Sequence, residues 1–204
     1  MGSIFFGPYE LHPSKVICVG RNYIEHVHEL NNERPSDPVV FLKPNSAIHH
    51  TLVSQAEEEI HFEAELSFLY EDSAICAVAI GLDLTKRKLQ AKLKAKGLPW
   101  ERAKAFNKSV VFSPFVPISA FQISDLSLQL EINGIQRQFG HIEQLLFSVI
   151  DIEKSLKSWL FIENGDILMT GTPKGVGIVH PGDLFKGTVY LNDQLLLSHE
   201  WVAE

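Results

Sequence analysis

The chain has 204 residues, 45% hydrophobic and 21% charged, with a mean hydropathy of +0.03; this suffices for a packed core and excludes a disordered or collagen-like polymer. Its 18 basic and 25 acidic residues give a net charge of −7, the wrong sign for a protein held to nucleic acid by phosphate contacts. Two cysteines, Cys18 and Cys76, cannot build a disulfide framework, the apolar run 74–82 is too short to span a bilayer, and the opening residues lack a secretory pattern, so a cytoplasmic location away from membranes is expected.

The first predicted strand covers residues 15–19 and closes at Gly20. Residues 21–30 read as a short helix and 31–38 as a loop with two prolines. A second strand, 39–42, stops at Lys43-Pro44, where proline lacks a backbone donor. On the helix, His26 and Glu29 stand at i, i+3, as do Glu25 and His28. A histidine oriented by a carboxylate is a general base suited to neutral pH. Ordinary surface charge pairing has the same spacing, and the pattern does not choose between the pairs.

Residues 60–70 alternate, with His61, Glu63, Glu65 and Ser67 on one face and Phe62, Ala64, Leu66 and Phe68 on the other. Two glutamates that close repel unless a cation sits between them. Mg²⁺ or Mn²⁺ suits them, because both ions prefer oxygen ligands. A solvated strand face with two surface glutamates gives the same pattern. His61 is expected beside the carboxylates or at the surface, not as a ligand. Residues 75–82 form a buried strand that delivers Asp83, either a third carboxylate or the N-cap of the next helix.

That helix is predicted over residues 85–96, ending at Gly97. Lys86, Arg87, Lys88, Lys92, Lys94, Lys96, Arg102, Lys104 and Lys108 crowd this region; most are expected on a solvated face opposite Leu84, Leu89 and Leu93, with one or two facing an anionic substrate. Residues 126–139 read as a hairpin around Asn133-Gly134, and 141–161 carry helical spacing. Residues 166–177 run from a strand into a Gly/Thr/Pro loop without the spacing of a phosphate or dinucleotide loop. Its amides and the Thr172 hydroxyl could hold a carboxylate, or its glycines could serve a tight turn. Strands outnumber helices without regular alternation, which predicts a strand-rich α+β fold.

Seven segments in order carry a resemblance: Val19-Gly20-Arg21-Asn22-Tyr23, Phe41-Leu42-Lys43-Pro44, His61-Phe62-Glu63-Ala64-Glu65-Leu66, Leu82-Asp83-Leu84-Thr85, Gly97-Leu98-Pro99-Trp100, Ala103-Lys104-Ala105-Phe106 and residues 168–177. Together they resemble the fumarylacetoacetate hydrolase superfamily, in its small branch of acylpyruvate hydrolases and oxaloacetate decarboxylases. The resemblance implies a mixed β-roll as one catalytic domain over 1–204, a homodimer, and a helical lid over 21–37. It implies Mg²⁺ or Mn²⁺ on Glu63, Glu65 and Asp83, and a catalytic dyad of His26 and Glu29. It also implies an active-site lysine at Lys104 and substrate contacts from Gln90, Lys104 and Thr172. Two departures stand out. Arg87-Lys88 replaces the family's usual Arg-Asp, and Gly140-His141-Ile142-Glu143 replaces its Gly-x-Thr-Ser segment.

The implied activity is hydrolysis of the C–C bond of acylpyruvates through a pyruvate enolate, with water activated by His26. Oxaloacetate decarboxylation or keto–enol isomerisation needs the same enolate and is the alternative. A non-catalytic metal- or ligand-binding module is the remote alternative, against which this intact residue set counts, and a strand-rich adaptor would have no reason to pair glutamates on a strand face.

Overall fold

Apolar runs and turn residues divide the chain into short elements; the structure, a computed structural model, describes residues 1–29, 33–54 and 58–204. The first half contains β1 (Ile4–Phe6), β2 (Tyr9–Leu11), β3 (Lys15–Gly20), α1 (Ile24–Glu29), β4 (Val39–Pro44), β5 (Ile60–Phe62), β6 (Ala64–Glu71), β7 (Ala74–Asp83), β8 (Thr85–Lys86) and α2 (Arg87–Ala95). The second half contains α3 (Glu101–Lys104), β9 (Val110–Phe112), β10 (Val116–Pro117), β11 (Leu126–Ile132), β12 (Ile135–His141), α4 (Val149–Leu156), β13 (Ile167–Met169), β14 (Gly177–Ile178), β15 (Leu184–Leu191) and β16 (Gln194–Val202).

The central sheet runs β10-β7-β6-β13-β3-β4, with β9 also on β7. It is mixed: β13 pairs with β3 in parallel, while its other ladders are antiparallel. A second, antiparallel sheet runs β12-β11-β15-β16 and covers one face of the first. Leu66, Phe68, Val78 and Ile80 from the central sheet meet Leu128, Leu130, Phe185 and Val189 from the second, joined by Ile152 and Leu156 of α4. The opposite face buries Val16, Cys18, Leu69, Ala79, Phe112 and Met169 in a separate cluster. Burial on both faces explains why residues 74–82 read as an unbroken apolar run. The strand-rich α+β roll expected from the sequence is the fold observed. Gly187 permits the close approach of the two sheets, since a Cβ there would lie 3.0 Å from the Ile80 side chain.

Two strands turn corners, and these corners create the site. Residues 60–70 are not one strand. β5 pairs with β8 and β14 in a small three-stranded sheet, whereas β6 pairs with β7 and β13. Glu63 stands at the break. β7 likewise hands over to β8 past Asp83, and the Asp83 amide donates to the Glu63 carbonyl at 2.8 Å.

Several local expectations are corrected. The first helix covers only Ile24–Glu29, because Arg21 is left-handed with φ 58° and Asn22 binds the backbone of Phe147 and Thr170. Leu30, Asn31 and Asn32 lie outside the described residues, and 33–37 have no helix, so among the described residues the 21–37 segment is helical only at α1. Thr85-Lys86 are strand, leaving α2 to begin at Arg87. The stretch 141–161 holds a short 3₁₀ turn, Ile142–Gln144, and then α4, whose start is fixed by reciprocal bonds between Ser148 and Asp151.

Phe185 joins the layers, meeting Phe62 edge-on at 5.3 Å between ring centroids. Phe185→Ala is expected to cost about 3–5 kcal/mol of stability, read as a lower urea midpoint with an unchanged m-value.

Candidate active site

The polar face of residues 60–70 is buried, not solvated. Glu63, Glu65 and Asp83 are 6%, 2% and 0% exposed, and one oxygen from each carboxylate lies within 4.8 Å of the others. The sheet corners aim Glu63 and Asp83 at the same point that Glu65, two residues along, faces from β6. Asp83 caps nothing: the N-terminus of α2 has no side-chain cap. His61 remains outside the triad, on β5 opposite Ile178, where burial and the nearby Arg87 charge lower its pKa.

Charge compensation at the triad is uneven. Lys104 Nζ donates to Glu63 Oε2 at 2.8 Å, to Asp83 Oδ2 at 2.6 Å and to Thr85 Oγ1 at 2.6 Å. The Arg87 guanidinium also contacts Glu63. Burial alone would raise the Glu63 carboxyl, but Lys104 and Arg87 override it and hold it well below the usual range. Burial lowers and the carboxylates raise the Lys104 ammonium, and the carboxylates win. Glu65 is treated differently: burial and the charges of Asp83 and Glu63 push it well above the usual range. Its hydrogen-bond donor among the described residues is the Gly171 amide, at 2.8 Å. A buried carboxylate that repels two others and receives one neutral donor suits a hard divalent cation. The donor set therefore fits Mg²⁺ or Mn²⁺, with Glu63, Glu65 and Asp83 as the groups that could hold it.

Sequence reasoning gave Lys43 no role at the site, naming it at a strand end and within one of the resembling segments. It is fully buried on β4, with Nζ 2.8 Å from Asp83 Oδ1 and 3.1 Å from Ser109 Oγ, and in contact with the Lys104 carbonyl. A lysine inside an apolar strand is the signal that could have found it, because such a residue is seldom buried without a partner.

The structure chooses between the helix pairs. His26 is buried, with Nδ1 2.9 Å from Glu29 Oε2, while Glu25 turns to Lys174 at 3.2 Å and His28 is exposed. Glu29 is itself held by the Gly175 amide at 2.9 Å. The two functions considered for the glycine loop thus coincide. Gly171 and Gly175 have φ of 104° and 101°, and the amides presented there bind the protein's own carboxylates, Glu65 and Glu29.

His26, Glu63, Gln90 and Lys104 line a common cavity of about 30 Å³ together with Arg21 and Lys94. Gln90 accepts from Arg87 at 3.0 Å. Thr172 is not brought into this lining: its hydroxyl donates to the Ala64 carbonyl and accepts from Gln138, each at 2.8 Å. Of the two departures, Lys88 points outward, 83% exposed and paired with Glu59. Gly140 packs against Tyr23 and Pro173, where a Cβ would lie 3.0 Å from each. Among the described residues no helix is long and apolar enough to cross a membrane.

Residues 15–196 match the family described as fumarylacetoacetate (FAA) hydrolase C-terminal. The oxaloacetate tautomerase YcgM of Escherichia coli is 34% identical over 187 residues, covering 83% of this chain and 85% of that protein. The mitochondrial oxaloacetate tautomerase FAHD1 of Bos taurus is 37% identical over 191 residues, 86% of each chain. A fumarylpyruvate hydrolase from Pseudomonas aeruginosa, solved in complex with Mn²⁺ and pyruvate, superposes with a TM-score of 0.88 at 28% identity, over 98% of this chain and 94% of that one. The roll, its buried acidic corner and a match spanning most of the sequence lead to one conclusion: the chain belongs to the fumarylacetoacetate hydrolase family.

Proposed function

We propose that the protein is a divalent-metal-dependent enzyme that interconverts the keto and enol forms of oxaloacetate. The carrying observation is that His26, held by Glu29, lines the same cavity as Lys104 and Glu63 of the acidic triad. The similarity to two oxaloacetate tautomerases supports the choice of substrate. A bound Mg²⁺ or Mn²⁺ supplies Lewis acidity, drawing charge toward the 2-oxygen of a keto acid.

The chain's own groups move the proton. Glu29 occupies His26 Nδ1 and so leaves Nε2 to act as base. Nε2 takes a proton from C3 of the keto form, and the electron pair moves onto the 2-oxygen. The enol forms when the His26 imidazolium gives its proton back, directly or through water, to that oxygen, which leaves the imidazole neutral again; the reverse sequence restores the ketone. The Lys104 ammonium, close to Glu63 and Asp83, adds positive charge where the enolate develops. Gln90 orients the substrate from the cavity wall. The Thr172 hydroxyl reaches substrate only by giving up its bond to Ala64 or Gln138.

Hydrolysis of an acylpyruvate is the second reading, favoured by the same dyad. His26 would then take a proton from water as it attacks the acyl carbonyl, and the C–C bond would break to release pyruvate enolate and a carboxylic acid. Similarity to the fumarylpyruvate hydrolase supports it.

The readings separate when purified protein with Mg²⁺ receives enol-oxaloacetate or acetylpyruvate. Enol absorbance is expected to decay well above the buffer rate, with slower loss of acetylpyruvate; turnover of acetylpyruvate alone would reverse the order. His26→Ala should lower kcat for tautomerisation about 10²- to 10⁴-fold, and an unchanged kcat would remove His26 from the chemistry. Glu65→Gln should lose Mn²⁺ binding in calorimetry at concentrations that saturate the native protein. Because the substitution also relieves carboxylate repulsion, the metal-free variant should melt no lower than the metal-free native protein. Tight Mn²⁺ binding by this variant would refute the three-carboxylate site.

A further inference from the structure

The cavity beside the acidic triad carries more positive charge than its own carboxylates neutralise. Arg21, Arg87, Lys94 and Lys104 line it, and Glu63 is the one carboxylate in that lining. Arg87 and Lys104 are already engaged with Glu63, Lys104 also with Asp83. Arg21 and Lys94 are not: among the described residues neither forms an ion pair, and the buried Arg21 Nε has no hydrogen-bond partner.

Both side chains are brought there at a cost. Arg21 takes a left-handed backbone, φ 58°, which a residue with a Cβ adopts only when its surroundings impose it. The adjoining Asn22, tied to Phe147 and Thr170, imposes it here. Lys94 comes from α2 and lies over the Trp100 ring, 4.6 Å from its centroid. Burial, then the charges of Arg21, Arg87 and Lys104, push Lys94 down to about 8. Two cations from separate elements, partly desolvated and unmatched, are an incomplete anion site.

We propose that Arg21 and Lys94 form the subsite for the second carboxylate of a short keto diacid, and so select dianionic substrates over keto acids with an uncharged far end. The inference rests on the reading of the site as a keto-acid enzyme and specifies its substrate class. Lys104 and Glu63, in the same lining, border the triad where the keto-acid end is handled. The cavity's 30 Å³ corresponds to one or two waters, a volume a single carboxylate replaces. An uncharged acyl group there would leave both partly buried cations without a counter-charge, which is how a charged site rejects a near-isostere.

Malate and 2-hydroxybutanoate test this directly, because neither enolises and they differ by a distal carboxylate against a methyl group. With Mg²⁺ present, calorimetry on the native protein is expected to show malate binding about 10- to 100-fold tighter than 2-hydroxybutanoate. The double variant Arg21→Gln/Lys94→Gln should lose that preference while still binding 2-hydroxybutanoate. Arg21→Lys should keep a preference, which separates lost charge from lost fold. A native protein that does not distinguish the pair, or a preference that survives in the double variant, overturns the subsite. A protein that keeps the preference but does not interconvert oxaloacetate forms would instead defeat the tautomerase reading and leave the subsite standing.

Discussion

Three carboxylates buried at a strand corner form the constraint around which the structure is arranged. Each ion taken out of water costs several kcal/mol unless it is paired and hydrogen-bonded. Lys43, Lys104 and Arg87 converge for that reason, from β4, α3 and α2, and each element approaches the corner closely enough to place a cation there. The pairing is complete for Glu63 and Asp83 but not for Glu65. The imbalance leaves room in the charge inventory for a divalent ion.

The glycine loop after β13 ties this corner to the dyad. Gly171 donates to Glu65 and Gly175, four residues on, donates to Glu29. The carboxylate that orients His26 and the carboxylate short of positive charge therefore share one rigid support. A Cβ at Gly175 would fall 2.0 Å from the Arg137 carbonyl, so β12 fixes the loop from the other side. Placement of His26 and placement of the acidic triad become a single geometric problem, solved by the packing of β12 on the loop.

Much of this was legible from residue order. The apolar run at 74–82 marked a doubly covered strand, and the hairpin at Asn133-Gly134 appeared where turn chemistry placed it. Spacing alone found Glu63 and Glu65, and left Asp83 open between a third carboxylate and a helix cap, but it could not say whether they faced water, because alternation looks the same when the polar face is buried under another layer. Nor could it show that the strand breaks at Glu63, since a corner between sheets leaves no mark on a period of two. Lys43 was hidden because its partners lie 40 to 66 positions away, a separation that no local pattern registers. The choice of His26 over His28 also depended on a distant amide, that of Gly175.

Lys43 has one more consequence. Its ammonium is anchored on β4, the edge strand of the central sheet, by Ser109 and backbone carbonyls as well as by Asp83, so the chain itself supplies a counter-charge to that carboxylate. The corner is therefore braced by the chain's own groups, unlike small domains whose folding waits for an ion. A divalent ion held by a scaffold braced in this way would be exchangeable for another hard divalent ion without unfolding, so that supply as well as sequence would decide which ion is bound.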